Sequence, residues 1–308
     1  MSIRFATTAD TETVKSIWNK CFGDGEPFLS WNFSRNYNPS DTLVWEECGK
    51  VVATLQMQSK AINLYGTVVQ GNYIFGIATL PEFRCKGIAR ELMIHAFREA
   101  HERGHVLSLL IPFNYRFYEK FDYKMSYKLV KAVIKKEYLS PGDKYGHIIK
   151  SDYAIADLQH TYKKFCESLN GWIVRSDDEF ELILEDVLKN GNGRCIVCYN
   201  WESGECVGYA IGRVEEKKFV AYEMVYTDAG AKYSILAGVF EQLDCDEVEV
   251  TSPVSKCDDL ISFGGYTDSS KICPFVMTKV LNEGKFREIC RENDFFCENK
   301  NYANMLFS

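Results

Sequence analysis

A basic turn that contains a glycine joins an apolar strand to an amphipathic helix near residue 87. The apolar run 74–80 stops at Pro81, residues 84–87 read Arg-Cys-Lys-Gly, and apolar residues then recur at helical spacing. The first amides of a helix have no partner within it and carry the positive end of the helix dipole. A glycine lets a ligand come close to the backbone. The pattern predicts a phosphate-binding turn, which indicates a phosphorylated cofactor and therefore an enzyme.

The segments around this turn have the composition of sheet strands and one helix. The helix is expected to end near Gly104, where a basic last turn precedes the glycine. An apolar strand follows at 106–111. Upstream, residues 42–47 and 51–59 are expected to form a hairpin, and 61–64 and 67–79 extend the sheet. These elements place the turn at the end of a sheet strand.

The turn resembles the acetyl-CoA motif of the GNAT acetyltransferase family. That motif reads Arg or Gln, two variable residues, Gly, one variable residue, and then Gly or Ala. The resemblance implies acetyl-CoA as co-substrate, with its pyrophosphate on the turn. It also implies that the preceding strand holds the pantetheine arm and polarises the acetyl carbonyl. The residues expected to bind the cofactor are Ile77, Ala78, Thr79, Arg84, Cys85, Lys86, Gly87, Ile88 and Ala89.

A second stretch, residues 117–123, resembles the Phe-Tyr motif that follows the next strand in the same family. Asp122 stands where glycine is usual, and Asp tolerates the left-handed backbone region better than most residues. The resemblance implies that Tyr118 is the general acid that reprotonates the CoA thiolate, because a phenol is protonated at neutral pH. It also implies that Asn114 binds the pantetheine amides. The alternative for Tyr118 is a core aromatic on a short helix.

Composition restricts the class of protein. The net charge of −7 argues against a nucleic-acid partner, which needs a basic face. No run is long and apolar enough to span a membrane, and the N-terminal residues lack a secretory signal. We therefore expect a cytoplasmic protein whose 12 cysteines are reduced thiols. Cys195 and Cys198 have CxxC spacing without a second pair, so no metal site is expected.

The second half of the chain repeats the plan of the first more loosely. Strand-like segments between 194 and 226 precede a helical segment at 229–243 and a further strand. The turn before that helix lacks the basic start, and Asp228 would repel a phosphate there. The expected fold is α/β (α+β), with tandem GNAT-like domains whose mixed, mostly antiparallel sheets are flanked by helices.

This doubling resembles the multi-domain branch typified by the enhanced-intracellular-survival aminoglycoside acetyltransferases. We expect a catalytic domain over 1–134, a degenerate domain that does not bind CoA over 135–282, and a tail over 283–308 too short for the branch's sterol-carrier-like third domain. In that branch the terminal carboxylate enters the active site, which makes Ser308 a candidate catalytic residue. A frayed tail is the alternative. The resemblance also implies a possible homo-oligomer.

Two carboxylates in one turn of the first half are candidates for binding the acceptor. Asp24 and Glu26 lie in the turn that walls the acceptor site in the resembled family, and an acidic pocket would suit a cationic amine. A solvated loop is the alternative for both residues. The expected function is acetyl transfer to an amine of a cationic small molecule of the aminoglycoside or polyamine type. A protein or peptide amine, and a non-catalytic CoA-binding scaffold, are the other hypotheses.

Overall fold

The computed structural model describes residues 1–139, 146–256 and 271–303. The chain divides into two compact units. The first unit contains Met1–Met125 and Val276–Asp294, and the second contains the described residues of 126–275 and 295–307. In the part of the chain that the structure describes, no helix is long and apolar enough to cross a membrane.

The first unit follows the predicted order of elements. The two predicted strands at 51–59 and 61–64 form one continuous strand, β3. Its strands are β1 (Ser2–Phe5), β2 (Thr42–Glu47), β3 (Lys50–Leu64), β4 (Thr67–Thr79) and β5 (Leu107–Leu110), and its helices are α1 (Thr11–Phe22), α2 (Phe28–Trp31, continued by a π-helical turn over Asn32–Asn36), α3 (Ile88–Glu102) and α4 (Tyr115–Glu119).

The remaining elements belong mainly to the second unit. The exceptions are the start of β6, the end of β13 and the whole of α8, which belong to the first unit. The strands are β6 (Lys124–Lys135), β7 (His147–Lys150), β8 (Trp172–Val174), β9 (Arg194–Asn200), β10 (Cys206–Glu215), β11 (Lys218–Tyr226), β12 (Glu247–Pro253) and β13 (Lys271–Val280), and the helices are α5 (Ile155–Cys166), α6 (Asp177–Leu184), α7 (Ala229–Gln242) and α8 (Glu283–Cys290).

The sheet of the first unit is mixed, as predicted. Strands β1 to β4 pair antiparallel in chain order, and β5 pairs parallel with β4. The last residues of β13, Met277–Val280, pair antiparallel with β5. This pairing joins the residues after 275 to the first unit. The compact units divide after residues 125 and 275, whereas the predicted domain boundaries fall at 134 and 282. The functional meaning of the predicted domains stays a prediction.

Helices cover the sheet of the first unit on two faces. Leu92 and Met93 of α3 belong to one buried cluster, together with alternate β3 residues such as Leu55. Val14 and Trp18 of α1 belong to a second cluster with residues of α2. Because side chains of a strand point alternately to opposite faces, one strand can contribute to both layers.

In the second unit, two parallel strands are paired over only part of their length. Strand β11 pairs parallel with β12 from Lys218 to Ala221 and then continues to Tyr226 without it. Helix α7 follows, and the Asp228 carboxylate accepts a hydrogen bond from the Ala231 amide at 2.9 Å. The carboxylate therefore occupies one of the amides that a phosphate would need at this helix N-terminus.

A buried ion pair lies inside the second unit. Arg175 donates two hydrogen bonds to the Glu223 carboxylate, at 2.9 and 2.8 Å, and Tyr209 donates a third at 2.8 Å. The side chains of Arg175 and Glu223 are 3% and 0% exposed. A charge buried to this degree is tolerated only when a partner compensates it.

Replacing Arg175 by Met keeps the length of the side chain and removes the charge. We expect the second unit to lose about 3–5 kcal/mol of unfolding free energy, because Glu223 is left buried without its cation. Arg213→Met is the matched control, because Arg213 pairs with Glu215 in an exposed position. This substitution should lower the unfolding free energy by about 1 kcal/mol or less. Denaturant unfolding measures both variants, and equal losses would contradict the account.

Candidate active site

Strands β4 and β5 separate beside the middle of β4. Their pairing covers only Gly71–Tyr73 and Leu107–Leu109, after which β4 continues to Thr79 and β5 ends at Leu110. The edge of β4 beyond Tyr73 is therefore not paired with β5. Backbone polar groups on such an edge need other partners, and an extended ligand can supply them.

A β-bulge lies in the separated part of β4. Between the pairs Thr54–Ala78 and Gln56–Phe75, β4 contains one residue more than β3. Gly76 occupies this bulge with a φ of 58°, a left-handed conformation that favours glycine. A Cβ at this position would lie 2.5 Å from Cζ3 of Trp18, so a larger residue would also clash. The bulge and the Trp18 ring thus fit together only with glycine.

A cavity of about 350 Å³ lies along this part of β4. Its walls come from α1 and the turn after it, from β4, and from the segment that follows β5. Most of the lining side chains are apolar or aromatic. The lining residues are Trp18, Phe22, Asp24, Tyr73, Ile74, Phe75, Gly76, Ile77, Ile111, Phe113 and Tyr118.

The predicted phosphate turn has an unusual backbone before α3. The φ angle is positive at Cys85 (62°) and Gly87 (81°) but not at Lys86 between them. Backbone of alternating hand directs successive N–H groups to one side and forms a concavity that suits an anion. Gly87 is the N-cap of α3, and a Cβ added at this residue would have no neighbouring atom within 4 Å. The turn therefore leaves room for a ligand against the backbone.

Cationic side chains surround the turn, and each already has a contact. Arg84 donates from Nε to the Thr79 carbonyl at 3.0 Å. The Lys86 ammonium lies 4.8 Å from the centre of the Phe83 ring. Arg90 pairs with Glu91 at 2.8 Å. All three are exposed, so they keep positive charge near the N-terminus of α3 and can reorient toward a phosphate.

The other predicted cofactor residues lie at the end of β4 and the start of α3. Ile77 lines the cavity, Ala78 is buried, and the Thr79 carbonyl accepts from Arg84. Ile88 is buried in the core, so its contribution to the turn comes from its backbone. Ala89 is half-buried in the first turn of α3.

Tyr118 is a buried phenol at the cavity. The residue is 3% exposed, and its ring packs edge-on against Phe113, Phe117 and Tyr123. Within the described residues, its hydroxyl has no hydrogen-bond partner. Burial, with a smaller contribution from Tyr73, raises the pKa of Tyr118 well above its ordinary value of 10.0. The group is therefore a protonated donor available to whatever enters the cavity.

Asn114 and Asp122 support the helix that carries Tyr118. The side-chain oxygen of Asn114 accepts from the Phe117 amide at 3.2 Å and caps α4, which leaves its amide nitrogen for a ligand. Asp122 adopts a φ of 65°, the left-handed conformation for which glycine is usual in the resembled motif. Its role in the turn therefore agrees with the expectation from the sequence.

The two predicted acceptor carboxylates differ in position. Asp24 lines the cavity, and its Oδ2 accepts from Trp18 Nε1 at 2.8 Å. Glu26 is not among the lining residues: its side chain is 58% exposed, it accepts from the Ser30 amide, and it lies 3.7 Å from Lys15. The structure brings Asp24 to the site and places Glu26 on the surface. Ser308 lies outside the described residues.

Comparison with protein-family models matches residues 2–126 to the acetyltransferase (GNAT) domain. These residues form a GNAT acetyltransferase domain. The match spans the separated strands, the bulge, the turn and Tyr118. It supports the conclusion that the protein is an acyltransferase enzyme. No curated protein matches the chain.

Solved structures share the fold over most of the chain. A probable N-acyltransferase of unknown function from Enterococcus faecalis V583 aligns with 19% identity and a TM-score of 0.78, over 94% of this chain and 74% of its own. A GCN5-related N-acetyltransferase from Anabaena variabilis aligns with 16% identity and a TM-score of 0.76, over 94% and 74%. Eis1 from Mycobacterium abscessus aligns with 13% identity and a TM-score of 0.71, over 92% and 74%. At these identities the likeness concerns the fold.

Several residues that shape the GNAT domain's cavity escaped the sequence analysis. They are Trp18, Phe22, Phe75 and Gly76, to which the sequence analysis assigned no role. A glycine inside a strand pattern does suggest a bulge or a close contact, and that signal was available at Gly76. Which aromatic side chains border a cavity depends on how α1 packs, and local spacing does not show it.

Replacing Gly87 by Ala tests the turn of the GNAT domain. The matched control is Gly104→Ala at the other end of α3, because both glycines have similar φ angles (81° and 78°) and open space around the added Cβ. Each should cost about 1–2 kcal/mol of stability. Only Gly87→Ala should weaken CoA binding, by about tenfold or more, because the methyl group lies where the ligand meets the backbone. Calorimetric titration with CoA measures this, and equal affinities of the two variants would contradict it.

Proposed function

We propose that the protein is an acetyl-CoA-dependent N-acetyltransferase that acts on an amine of a cationic small molecule. The observation that carries the proposal is the buried phenol of Tyr118, whose hydroxyl has no hydrogen-bond partner among the described residues. It lies at a cavity along the edge of β4 that is not paired with β5. The resemblance of the doubled plan to the multi-domain branch implies an acceptor of the aminoglycoside or polyamine type.

The chain's own backbone is suited to hold acetyl-CoA along β4. The pyrophosphate would contact the amides of the turn at residues 85–89, where the backbone of alternating hand meets the N-terminus of α3. The pantetheine arm would lie along the unpaired edge of β4, and the acetyl carbonyl would face the bulge at Gly76. Amides fixed by the fold stabilise the charge that develops on that oxygen.

Transfer requires one nucleophile and one proton donor. A neutral amine attacks the acetyl carbonyl, the C–N bond forms, and the C–S bond breaks. Tyr118 gives its proton to the departing thiolate and regains one from the nitrogen, while the first ammonium proton leaves to solvent. Positioning of the two bound reactants supplies much of the rate, and the buried phenol supplies the proton at the right place.

We infer that the second unit is a degenerate repeat that does not bind CoA. The Asp228 carboxylate caps α7 where the first unit has a free glycine turn. Its separated strand β11 contains Glu223, which is held by Arg175 and Tyr209. These contacts support a structural role, and binding of one CoA per chain would agree with it.

Tyr118→Phe should lower kcat by about a hundredfold or more, because it removes the proton donor without changing the packing of the ring. Release of the CoA thiol measures the rate, and CoA affinity should be unchanged. Tyr115→Phe is the matched control on the same helix, where the side chain is exposed.

The pH profile of the wild-type enzyme gives a second readout for Tyr118. Because burial disfavours the phenolate, the pKa is raised and the phenol stays protonated through its ordinary value of 10.0. Loss of this proton should therefore cause no fall in kcat between about pH 8 and about pH 10. An unchanged kcat in Tyr118→Phe would show that Tyr118 is not the general acid. CoA binding without thiol release for any amine would favour a non-catalytic scaffold.

Asp24→Asn tests the acceptor side. Asparagine can still accept the Trp18 hydrogen bond but carries no charge. We expect the KM for a cationic amine to rise about tenfold, as for loss of a hydrogen bond to a charged group, with the KM for acetyl-CoA unchanged. Glu26→Gln, a change of the same kind at the exposed neighbour, should have no effect. Equal KM values for the two variants would exclude Asp24 from acceptor binding.

A further inference from the structure

The cavity of the GNAT domain has two sides. The segment after β5 contributes Ile111, Phe113 and Tyr118 to one side, where the predicted proton donor lies. Helix α1 and the turn after it contribute Trp18, Phe22 and Asp24 to the other side, which we call the acceptor side. Strand β4 runs between the two. An amine that reaches the acetyl carbonyl must therefore rest against the acceptor side.

The acceptor side offers one charge. Asp24 is the one acidic or basic side chain among the cavity residues that the structure describes. Its Oδ2 accepts from Trp18 Nε1, and in the described part of the chain its Oδ1 has no hydrogen-bond partner. The indole fixes the orientation of the carboxylate and leaves one oxygen for a ligand. One carboxylate oxygen suits one ammonium group.

The walls around that carboxylate are aromatic. The Trp18 ring lies 4.8 Å from the ring of Phe22 and 6.3 Å from that of Phe75, and Phe75 stacks on Tyr73 at 5.5 Å. Aromatic faces attract a cation, and they also bury the hydrocarbon that carries it. Phe22 is 47% exposed, which leaves much of its surface for a ligand to cover.

Hydroxyl groups of a ligand would find few partners on these walls. Among the described cavity residues, the polar side-chain groups are the Asp24 carboxylate, the Trp18 N–H that it already engages, and the phenols of Tyr73 and Tyr118. A hydroxyl buried without a hydrogen bond costs free energy. A ring with several hydroxyls therefore fits this cavity poorly, whereas an alkyl or aryl chain fits it well.

We propose that the acceptor presents a primary amine on an apolar arm, either alkyl or aryl, whose ammonium binds Asp24 Oδ1 and whose hydrocarbon lies against Trp18, Phe22 and Phe75. This rests on the proposed function and narrows the cationic acceptor to chemistry that the aromatic walls can bury. An amine on a polyhydroxylated ring, as in an aminoglycoside, is disfavoured. A linear polyamine enters by one of its alkyl ends.

A series of linear primary amines, from propylamine to hexylamine, tests the apolar arm. With the full chain and acetyl-CoA, KM should fall about fourfold for each added methylene until the cavity is filled. Phenethylamine should match the longer members. An aminoglycoside whose amines are all attached to rings should have a kcat/KM at least about tenfold lower than that of hexylamine.

Two outcomes separate this inference from the proposed function. The apolar arm is overturned as an inference if thiol release is faster with the aminoglycoside than with every alkyl or aryl amine. It is also overturned if KM does not depend on chain length. Either result leaves the proposed acetyltransferase activity intact. No thiol release with any amine, although CoA binds, overturns both. A lysine peptide that outperforms all small amines would assign the arm to a protein substrate and overturn the small-molecule class.

Phe22→Ala links the series to the proposed wall. Removing this ring should flatten the dependence of KM on chain length to less than about twofold per methylene, while the KM for acetyl-CoA stays unchanged. Tyr138→Ala is the control, because Tyr138 is exposed to a similar degree (45%) and belongs to the second unit. Phe22→Leu, which keeps part of the apolar surface, should restore part of the dependence. A slope unchanged in Phe22→Ala contradicts the placement of the arm.

Discussion

The separation of β4 from β5 is the constraint on which the rest of the site depends. Two parallel strands that stay paired would satisfy each other's backbone groups and leave no edge for a ligand. Here pairing ends at Tyr73 and Leu109, and the next stretch of β4 contains a bulge that only Gly76 fits. The cavity, the phenol of Tyr118 and the aromatic acceptor side all border this one opening.

The turn before α3 and the separated strand are consecutive in the chain. Strand β4 ends at Thr79, a short turn follows, and α3 begins at Ile88. Arg84 returns to the Thr79 carbonyl and thereby joins the two segments. A long ligand would match this arrangement, with its phosphorylated head at the helix N-terminus and its extended arm along the open edge of the strand. In the second unit β11 also continues beyond its pairing with β12, the Asp228 carboxylate caps α7, and Glu223 of β11 belongs to the buried ion pair.

Local patterns predicted much of the fold and part of the site. The glycine-containing turn, the helix that ends at a glycine and the Phe-Tyr stretch are short sequence features, and the elements they predicted are present in α3, β5 and α4. The continuity of β3 and the pairing of β13 with β5 were missed, because pairing between distant segments leaves no local trace. Asp24 and Glu26 are two residues apart and looked alike, yet only the packing of α1 decides that Asp24 lines the cavity. The roles of all site residues, the homo-oligomer and the exclusion of nucleic acid stay predictions.

The most direct test of the central claim is a crystal structure of the full chain with CoA bound. The account predicts pyrophosphate oxygens within hydrogen-bond distance of the backbone amides at residues 85–89, pantetheine along the unpaired edge of β4, and the thiol beside the Tyr118 hydroxyl. CoA bound elsewhere, or a β4 edge that stays closed by the protein's own side chains while CoA is present, would contradict it.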